Sequence, residues 1–252
     1  MRIEPRRAIV GLVIAGVAGS FLLLPALSLV GTLLAPSMPA PHQSRVVPLL
    51  GEAIWARSLG GRAAALQPIN PFTVARAVSC HLLAERFDDQ AERDREHDGC
   101  MELLPGIQGI GHLANIHMQS EGVWEDPRVP FVALATVSKV SSTWTKAELL
   151  DSLAARGEFG NGLIGADHAA RAYFGKTPGE LALAEIALLA SALGNRRLNP
   201  WCRPEEAARA RLRILERMRD SQVIDDPAVD AANRMPLGIL PTPPPRHQPC
   251  RN

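Results

Sequence analysis

Closely spaced glycines and a small-residue helix make residues 157–176 the segment best suited to contact a ligand. They read Gly-Glu-Phe-Gly-Asn-Gly-Leu-Ile-Gly-Ala-Asp-His-Ala-Ala-Arg-Ala-Tyr-Phe-Gly-Lys. Glycine has no Cβ, so it adopts positive φ and lets another backbone or a ligand come close. The alanines that follow permit close helix packing. The pattern predicts a tight turn that leads into a helix.

A second group of reactive side chains lies between residues 80 and 100. Cys80-His81 and His97-x-x-Cys100 offer four potential zinc ligands, or the two cysteines form a disulfide that closes the charged loop between them. Adjacent ligands such as Cys80 and His81 fit one tetrahedral ion poorly. With Cys202 and Cys250 the chain has four cysteines, which leave three pairings open. We favour a bridge between Cys80 and Cys100 and no metal.

The first 36 residues indicate the compartment. Three arginines precede an uncharged, nearly apolar run from Ala8 to Pro36. About 20 apolar residues span a bilayer, whereas a cleavable signal peptide has an apolar core of about 7–15. We predict a single-pass anchor in a bacterial inner membrane, with a cytoplasmic N-terminus and the remaining chain on the periplasmic face. A removed signal peptide, cut near Ala35 or Ala40, is the alternative. Disulfides persist in that compartment.

The elements that must position these residues are helical. A capping box at Thr177, Pro178 and Glu180 precedes the most apolar helical pattern of the chain. No alternating strand pattern is found, so we predict a mainly α fold. Further helices are expected near residues 46–59, 71–87 and 129–140, after Gly111 and Thr145, and over 204–220 and 227–233.

Composition divides the chain and excludes one class of partner. The net charge of +1 argues against a nucleic-acid-binding protein. Trp55 and Trp124 suit a membrane interface or a core equally well. We predict a cytoplasmic stub and anchor over 1–36, a linker over 37–45, one domain over 46–240 and a disordered Pro-rich tail over 241–252.

Motifs in fixed order connect the C-terminal half to a known family. They are Lys146, Leu149-Leu150, Phe159-Gly160-Asn161-Gly162, Tyr173–Lys176, Leu181–Ala190 and Asn199-Pro200. This order resembles the family 51 glycosyltransferase domain of monofunctional biosynthetic peptidoglycan transglycosylases and penicillin-binding proteins. The resemblance implies a lysozyme-like helical domain that polymerises glycan strands from lipid II. It also implies contact with the inner membrane, the nascent strand and other cell-wall synthases, and it admits a divalent metal, although no cofactor is evident.

The same resemblance assigns roles to single residues. In the family a glutamate acts as general base on the acceptor hydroxyl, which is a poor nucleophile until its proton is taken. Laying Pro48–Gly61 over that motif places Glu52 at the base, with Ala53 in place of the paired aspartate. Lys146, Gly160 and Gly162 fall at positions that we expect to contact substrate.

Other family positions have lost their ionisable groups, so the chain is a divergent member. Residues 106–115 overlay a hydroxyl- and glutamine-rich segment that shapes the donor side. Counting back from Lys146 puts Val129, Pro130 and Ala133 at an arginine, a lysine and a second glutamate. These losses predict impaired polymerisation of lipid II. The alternative is a non-catalytic member that binds lipid II or active synthases as a scaffold or regulator.

Overall fold

The computed structural model describes residues 26–35, 37–84, 100, 103–123 and 125–243. Ten α-helices are formed within these ranges, together with one 3-10 turn and an isolated bridge between Glu158 and Ile164, and no longer strand is found there. The mainly α prediction is confirmed. The helices are α1 (26–34), α2 (Pro48–Arg57), α3 (Pro71–Ala84), α4 (Ile107–Ser120), α5 (Val129–Thr143), α6 (Lys146–Arg156), α7 (Ala166–Phe174), α8 (Leu183–Ala192), α9 (Pro204–Asp220) and α10 (Asp226–Arg234).

Helix α2 lies at the centre and packs against α6, α8 and α9. Its alanines let neighbours approach closely, and Trp55 is its largest buried side chain, at 1% exposure. Gly60 and Gly106 close over the indole, and a Cβ at either position would overlap the ring. Trp55 is therefore a core residue rather than a membrane-interface residue. Trp124 lies outside the described residues.

Helix α6 begins where the sequence predicts. Its N-cap, Thr145, accepts a hydrogen bond from the Glu148 amide at 3.2 Å, and the Glu148 carboxylate accepts one from the Thr145 amide at 2.7 Å. This reciprocal box satisfies two backbone donors that a helix start leaves open. It fixes the direction in which Lys146, the first helical residue, leaves the backbone.

The long helix predicted to start at Thr177 is in fact two elements. The Glu180 carboxylate accepts the Thr177 amide as expected, at 2.8 Å, but this box closes only the 3-10 turn Pro178–Glu180. The backbone is extended at Leu181, and α8 begins after it. There the buried Glu185 carboxylate accepts the Ala182 amide at 2.8 Å.

The predicted membrane anchor lies mostly outside the described residues, which begin at residue 26. Within the described ranges no helix is long and apolar enough to cross a bilayer. Helix α1 packs on the start of α5, where a Cβ on Gly31 would overlap the Phe131 carbonyl. Leu29 and Leu33 on α1 are exposed. Of the predicted tail, only residues 241–243 are described.

Candidate functional site

The predicted base, Glu52, and one of the predicted substrate contacts, Lys146, are bound to each other. Lys146 Nζ donates to both carboxylate oxygens of Glu52, each at 2.9 Å. The same ammonium lies 4.9 Å from the centre of the Trp55 ring. A lysine in the first turn of a helix faces the positive end of the helix dipole, which is unfavourable. The Glu52 carboxylate offsets that cost, and the pair joins α2 to α6.

Glu52 lines a cavity of about 610 Å³ between the two helices. A second acid, Asp151, also lines it, but one of its oxygens accepts the Val46 amide at 2.8 Å. Asp151 therefore holds the chain ahead of α2. The lining residues are Arg45, Val46, Pro48, Leu49, Gly51, Glu52, Ala147, Leu150 and Asp151.

The ion pair limits what Glu52 can do chemically. A general base must lie within hydrogen-bond reach of the proton that it removes. Here both Glu52 oxygens already accept from Lys146, and the Lys146 side chain is only 19% exposed. A substrate hydroxyl would have to displace the ammonium or share an oxygen with it.

The glycine-rich segment folds into a tight turn. The Phe159 amide donates to the Leu163 carbonyl at 2.8 Å, and the Leu163 amide donates to the Gly160 carbonyl at 3.0 Å. Gly160 and Gly162 both have positive φ, at 77° and 73°. A Cβ on Gly160 would lie 2.9 Å from the Tyr173 hydroxyl, whereas one on Gly162 would have no neighbour within 4 Å.

The two glycines therefore differ in role. Gly160 is required by packing, because the Tyr173 hydroxyl passes beside it to donate to the Phe159 carbonyl at 2.9 Å. Asn161 donates to the same hydroxyl at 3.1 Å. Gly162 is exposed and its surroundings are open. Of the pair predicted to contact substrate, Gly162 is the one with space for a ligand.

A second cavity, of about 530 Å³, lies at the other end of α2. It is formed by the end of α2, by the exposed side of α4 and by the turn after α8. Glu52 does not line it. No role was predicted for Arg57 or His112 from the sequence. The lining residues are Arg57, Ser58, Gln108, Gly109, Gly111, His112, Asn115, Leu193 and Gly194.

Charge in the second cavity is dominated by Arg57. Its guanidinium donates to Gln108 Oε1 at 2.9 Å. Burial lowers the pKa of Arg57, and the nearby Arg217 and Arg213 lower it further. Burial likewise lowers the pKa of His112, and Arg57 adds to that shift. The imidazole is therefore neutral at pH 7.

The glycine-rich segment is hydrogen-bonded to Gly194, which lines the second cavity. The Gly194 amide donates to the Glu158 carbonyl at 2.7 Å, and the Glu158 carboxylate binds Arg196 at 2.6 Å. A Cβ on Gly194 would touch the His112 ring at 3.0 Å. The glycine-rich segment thus lies next to the cavity that the end of α2 and helix α4 form.

Comparison with known proteins identifies the family. A model of the transglycosylase family matches residues 131–219. A biosynthetic peptidoglycan transglycosylase from Rhodospirillum centenum is 30% identical over 162 residues, which are 60% of this chain and 68% of that protein. The chain belongs to the transglycosylase family, that is, to family 51 of the glycosyltransferases. Penicillin-binding protein 1A of Aquifex aeolicus is 32% identical over 102 residues, 40% of this chain and 14% of that protein.

Two of the three positions predicted to have lost their charges are packed as apolar residues. Val129 and Ala133 contact a small cluster whose buried members are Met118, Val123 and Val132. Ala35, which follows α1, contacts the same cluster. A charge at position 129 or 133 would have to enter this apolar contact, which is costly without a partner. The start of α5 therefore supports the N-terminal segment here.

The described residues form no zinc site and no site for another metal ion. No group of three or more His, Cys, Asp and Glu side chains lies close enough to hold an ion in those parts of the chain. The divalent metal that the family resemblance admits thus has no ligand set in the described parts of the chain. Cys80 and Cys100 are joined in a disulfide, with 5.5 Å between their Cα atoms, which is the pairing that the sequence favours. Cys202 is also disulfide-bonded.

Proposed function

We propose that this protein is a peptidoglycan glycosyltransferase-like member of the transglycosylase family that engages lipid II and the growing glycan strand with impaired polymerisation. It would act from a single-pass anchor on the periplasmic face of a bacterial inner membrane. Family membership and the names of the relatives support the class of reaction. The apolar run from Ala8 to Pro36 supports the anchor.

The observation that carries the proposal is the closed pair of Lys146 and Glu52. Glu52 is the carboxylate that the family motif places at the base, and both of its oxygens are occupied by the ammonium. A positioned general base contributes about 10²–10⁴-fold to a rate. We therefore expect polymerisation slower by roughly that factor than in a family member whose base is free.

A second candidate is a non-catalytic member that binds lipid II or active synthases. It is favoured by the second cavity, whose lining includes an arginine, a histidine and amides but no carboxylate. Such a surface can hold a polar ligand without removing a proton from it. The two candidates share a binding step and differ only in turnover.

Polymerisation of labelled lipid II by the purified full chain in detergent tests the proposal. The R. centenum relative is the active reference, and Glu52→Gln and Lys146→Met are the variants. We expect slow strand growth in the wild type and none in Glu52→Gln. Lys146→Met releases the carboxylate and should not reduce the residual rate as Glu52→Gln does.

The outcomes separate the candidates. Residual polymerisation that Glu52→Gln abolishes supports an impaired enzyme. Lipid II binding with no strand growth in any variant supports the non-catalytic member. Strand growth at the rate of the relative, unaffected by Glu52→Gln, would contradict the role given to the ion pair.

A further inference from the structure

We propose that the second cavity binds a phosphate or diphosphate group, with Arg57 as its principal contact. The proposal concerns residues outside the ion pair of Glu52 and Lys146. It deepens the proposed function where the anion is the diphosphate of a lipid-linked sugar, and that part alone rests on the proposed function. A free phosphate or pyrophosphate is the other source of the same chemistry.

The Arg57 guanidinium has few partners within the protein. Gln108 Oε1 accepts from one of its nitrogens, and none of the ion pairs among the described residues involves Arg57. Arg57 lines the open cavity. A guanidinium presents a planar fork of donors that fits phosphate oxygens in pairs.

The charges around Arg57 also favour an anion. Arg213 and Arg217 lie one turn apart on α9 and repel Arg57. The positive charge of Arg57 at this half-buried position favours an anion as its ligand. The nearest acid that acts on His112, Glu158, is already bound by Arg196 at 2.6 Å. That carboxylate is therefore neutralised by a partner of its own.

Neutral hydrogen-bond donors also line the cavity. His112 Nε2 is buried and has no hydrogen-bond partner. Buried polar atoms are nearly always paired with protein, water or ligand. Asn115 and Gln108 carry amide groups on exposed positions of the same helix, α4. The imidazole and the two amides can together surround an anion that Arg57 binds. The cavity volume of about 530 Å³ accommodates a diphosphate.

Positions 129 and 130 give this assignment its meaning in the family context. The family pattern predicts cations there, but the chain has Val129 and Pro130. Val129 packs in an apolar cluster. Arg57, in contrast, points a cation into a cavity from the central helix. The cation available to a diphosphate in this cavity is thus supplied from α2 instead of from the start of α5.

Isothermal titration calorimetry of the full chain in detergent tests the site with pyrophosphate, inorganic phosphate and acetate as probes. The variant is Arg57→Gln, and the matched control is Arg234→Gln, an exposed arginine at the end of α10 that lines neither cavity. Because a hydrogen bond to a charged group is worth about 1.5–3 kcal/mol, we expect Arg57→Gln to weaken pyrophosphate binding about 10- to 100-fold. Arg234→Gln should leave it unchanged, and acetate should bind most weakly.

Arg57→Lys keeps the charge without the fork and should give an intermediate affinity. It also guards against misfolding of Arg57→Gln, which circular dichroism would reveal. If the wild type binds neither pyrophosphate nor phosphate at millimolar concentration, the cavity holds only water and the proposal is overturned. Equal affinities of the wild type and both Arg57 variants would overturn it too.

Lipid II and undecaprenyl diphosphate in micelles distinguish the two sources. Loss of lipid II binding in Arg57→Gln, with Arg234→Gln unaffected, identifies the lipid-linked diphosphate. Loss confined to the free anions identifies a soluble ligand. Because pyrophosphate binding requires no polymerisation, this test can succeed while the glycosyltransferase proposal fails, and the reverse also holds.

Discussion

The ammonium nitrogen of Lys146 lies 2.9 Å from each carboxylate oxygen of Glu52. Ninety-four positions separate these residues in sequence, and the sequence predicts Glu52 as the base and Lys146 as a substrate contact. While the pair is closed, the Lys146 ammonium and the Glu52 carboxylate bind each other instead of a substrate. The contact therefore links the stability of α2 and α6 to the chemistry available at Glu52.

The first prediction is that the Lys146–Glu52 ion pair and the contact of Lys146 with the Trp55 ring make separately measurable contributions to stability. Lys146→Met removes the ion pair and the contact with Trp55, whereas Glu52→Gln removes only the ion pair. Partly exposed pairs contribute about 0.2–1 kcal/mol, and a cation over an aromatic ring adds about 0.5–1 kcal/mol. We expect Lys146→Met to lower the free energy of unfolding more than Glu52→Gln does, in urea titrations.

The double variant provides the coupling energy. Glu52→Gln combined with Lys146→Met should be less destabilising than the sum of the single changes, by about 0.2–1 kcal/mol. Lys139→Met, at an exposed position on α5, is the control and should have almost no effect. Additive single changes would show that the pair contributes nothing, and the argument for a restrained Glu52 would then fail.

The second prediction separates the two glycines of the tight turn. Both have positive φ, so alanine at either position incurs backbone strain of about 1–2 kcal/mol. At Gly160 the new Cβ would also lie 2.9 Å from the Tyr173 hydroxyl and 3.1 Å from the Leu198 carbonyl oxygen. Overpacking of this kind costs a further 1–3 kcal/mol, roughly.

Chemical unfolding of the two variants checks this difference. We expect Gly160→Ala to be the more destabilising by at least about 1 kcal/mol. Gly162→Ala shares the backbone conformation and lacks the clash, so it is the matched control. Equal losses would mean that backbone strain alone accounts for both glycines. A defect of Gly162→Ala in lipid II binding, without that extra loss of stability, would support a substrate contact there.

How far the sequence predicts this fold depends on whether the signal is local. The Thr145 cap is correct because all of its bonds lie within four residues. The helix predicted after Gly111 in fact begins at Ile107, since Gly106 supplies the left-handed start. Gly109 continues the helix where a Cβ would lie 2.6 Å from the Ser58 hydroxyl. Those glycines indicate close packing, which periodicity alone reads as a break.

The candidate site depends on contacts that are distant in sequence, and these the sequence does not reveal. Two capping glutamates, Glu180 and Glu185, are both visible, yet only tertiary structure shows that the second starts a separate helix. Its carboxylate also binds Lys176, at 2.7 Å. Arg57 looks like an ordinary charged helix end until α4 and α9 are packed around it.

The third prediction concerns His112 and acid. Burial lowers its pKa, so between that lowered value and the ordinary 6.5 the unfolded chain binds a proton that the folded chain does not. The contribution to stability is therefore present above about pH 6.5 and is lost as the pH falls through the folded pKa. Arg57 and Arg196 act in the same direction as burial, and Glu158 opposes them.

Urea midpoints of the wild type and His112→Asn between about pH 5.5 and 7.5 measure this effect. The wild type should lose more stability over that range than the variant. A bound anion beside the imidazole favours its protonated form, so saturating pyrophosphate should reduce the difference. A wild type and a variant with the same pH dependence would show that His112 is not held in its neutral form by folding.

The fourth prediction uses the one tyrosine of the chain as a probe. Burial raises the pKa of Tyr173 to about 12, although the hydrogen bond from Asn161 opposes the shift. A raised pKa contributes stability that is fully present below the unfolded value near 10 and is lost as the pH rises through about 12.

Absorbance of the phenolate near 295 nm, where tryptophan does not titrate, reports Tyr173 alone. The signal should appear about two pH units later in the folded protein than in urea, or at the pH at which the domain unfolds if that comes first. Tyr173→Phe removes the bond to the Phe159 carbonyl and should cost about 1–3 kcal/mol, since that buried oxygen loses its donor. A phenolate signal near pH 10 in folded protein would mean that the hydroxyl reaches water and that the glycine-rich turn is not closed over it as the contacts of Gly160 require.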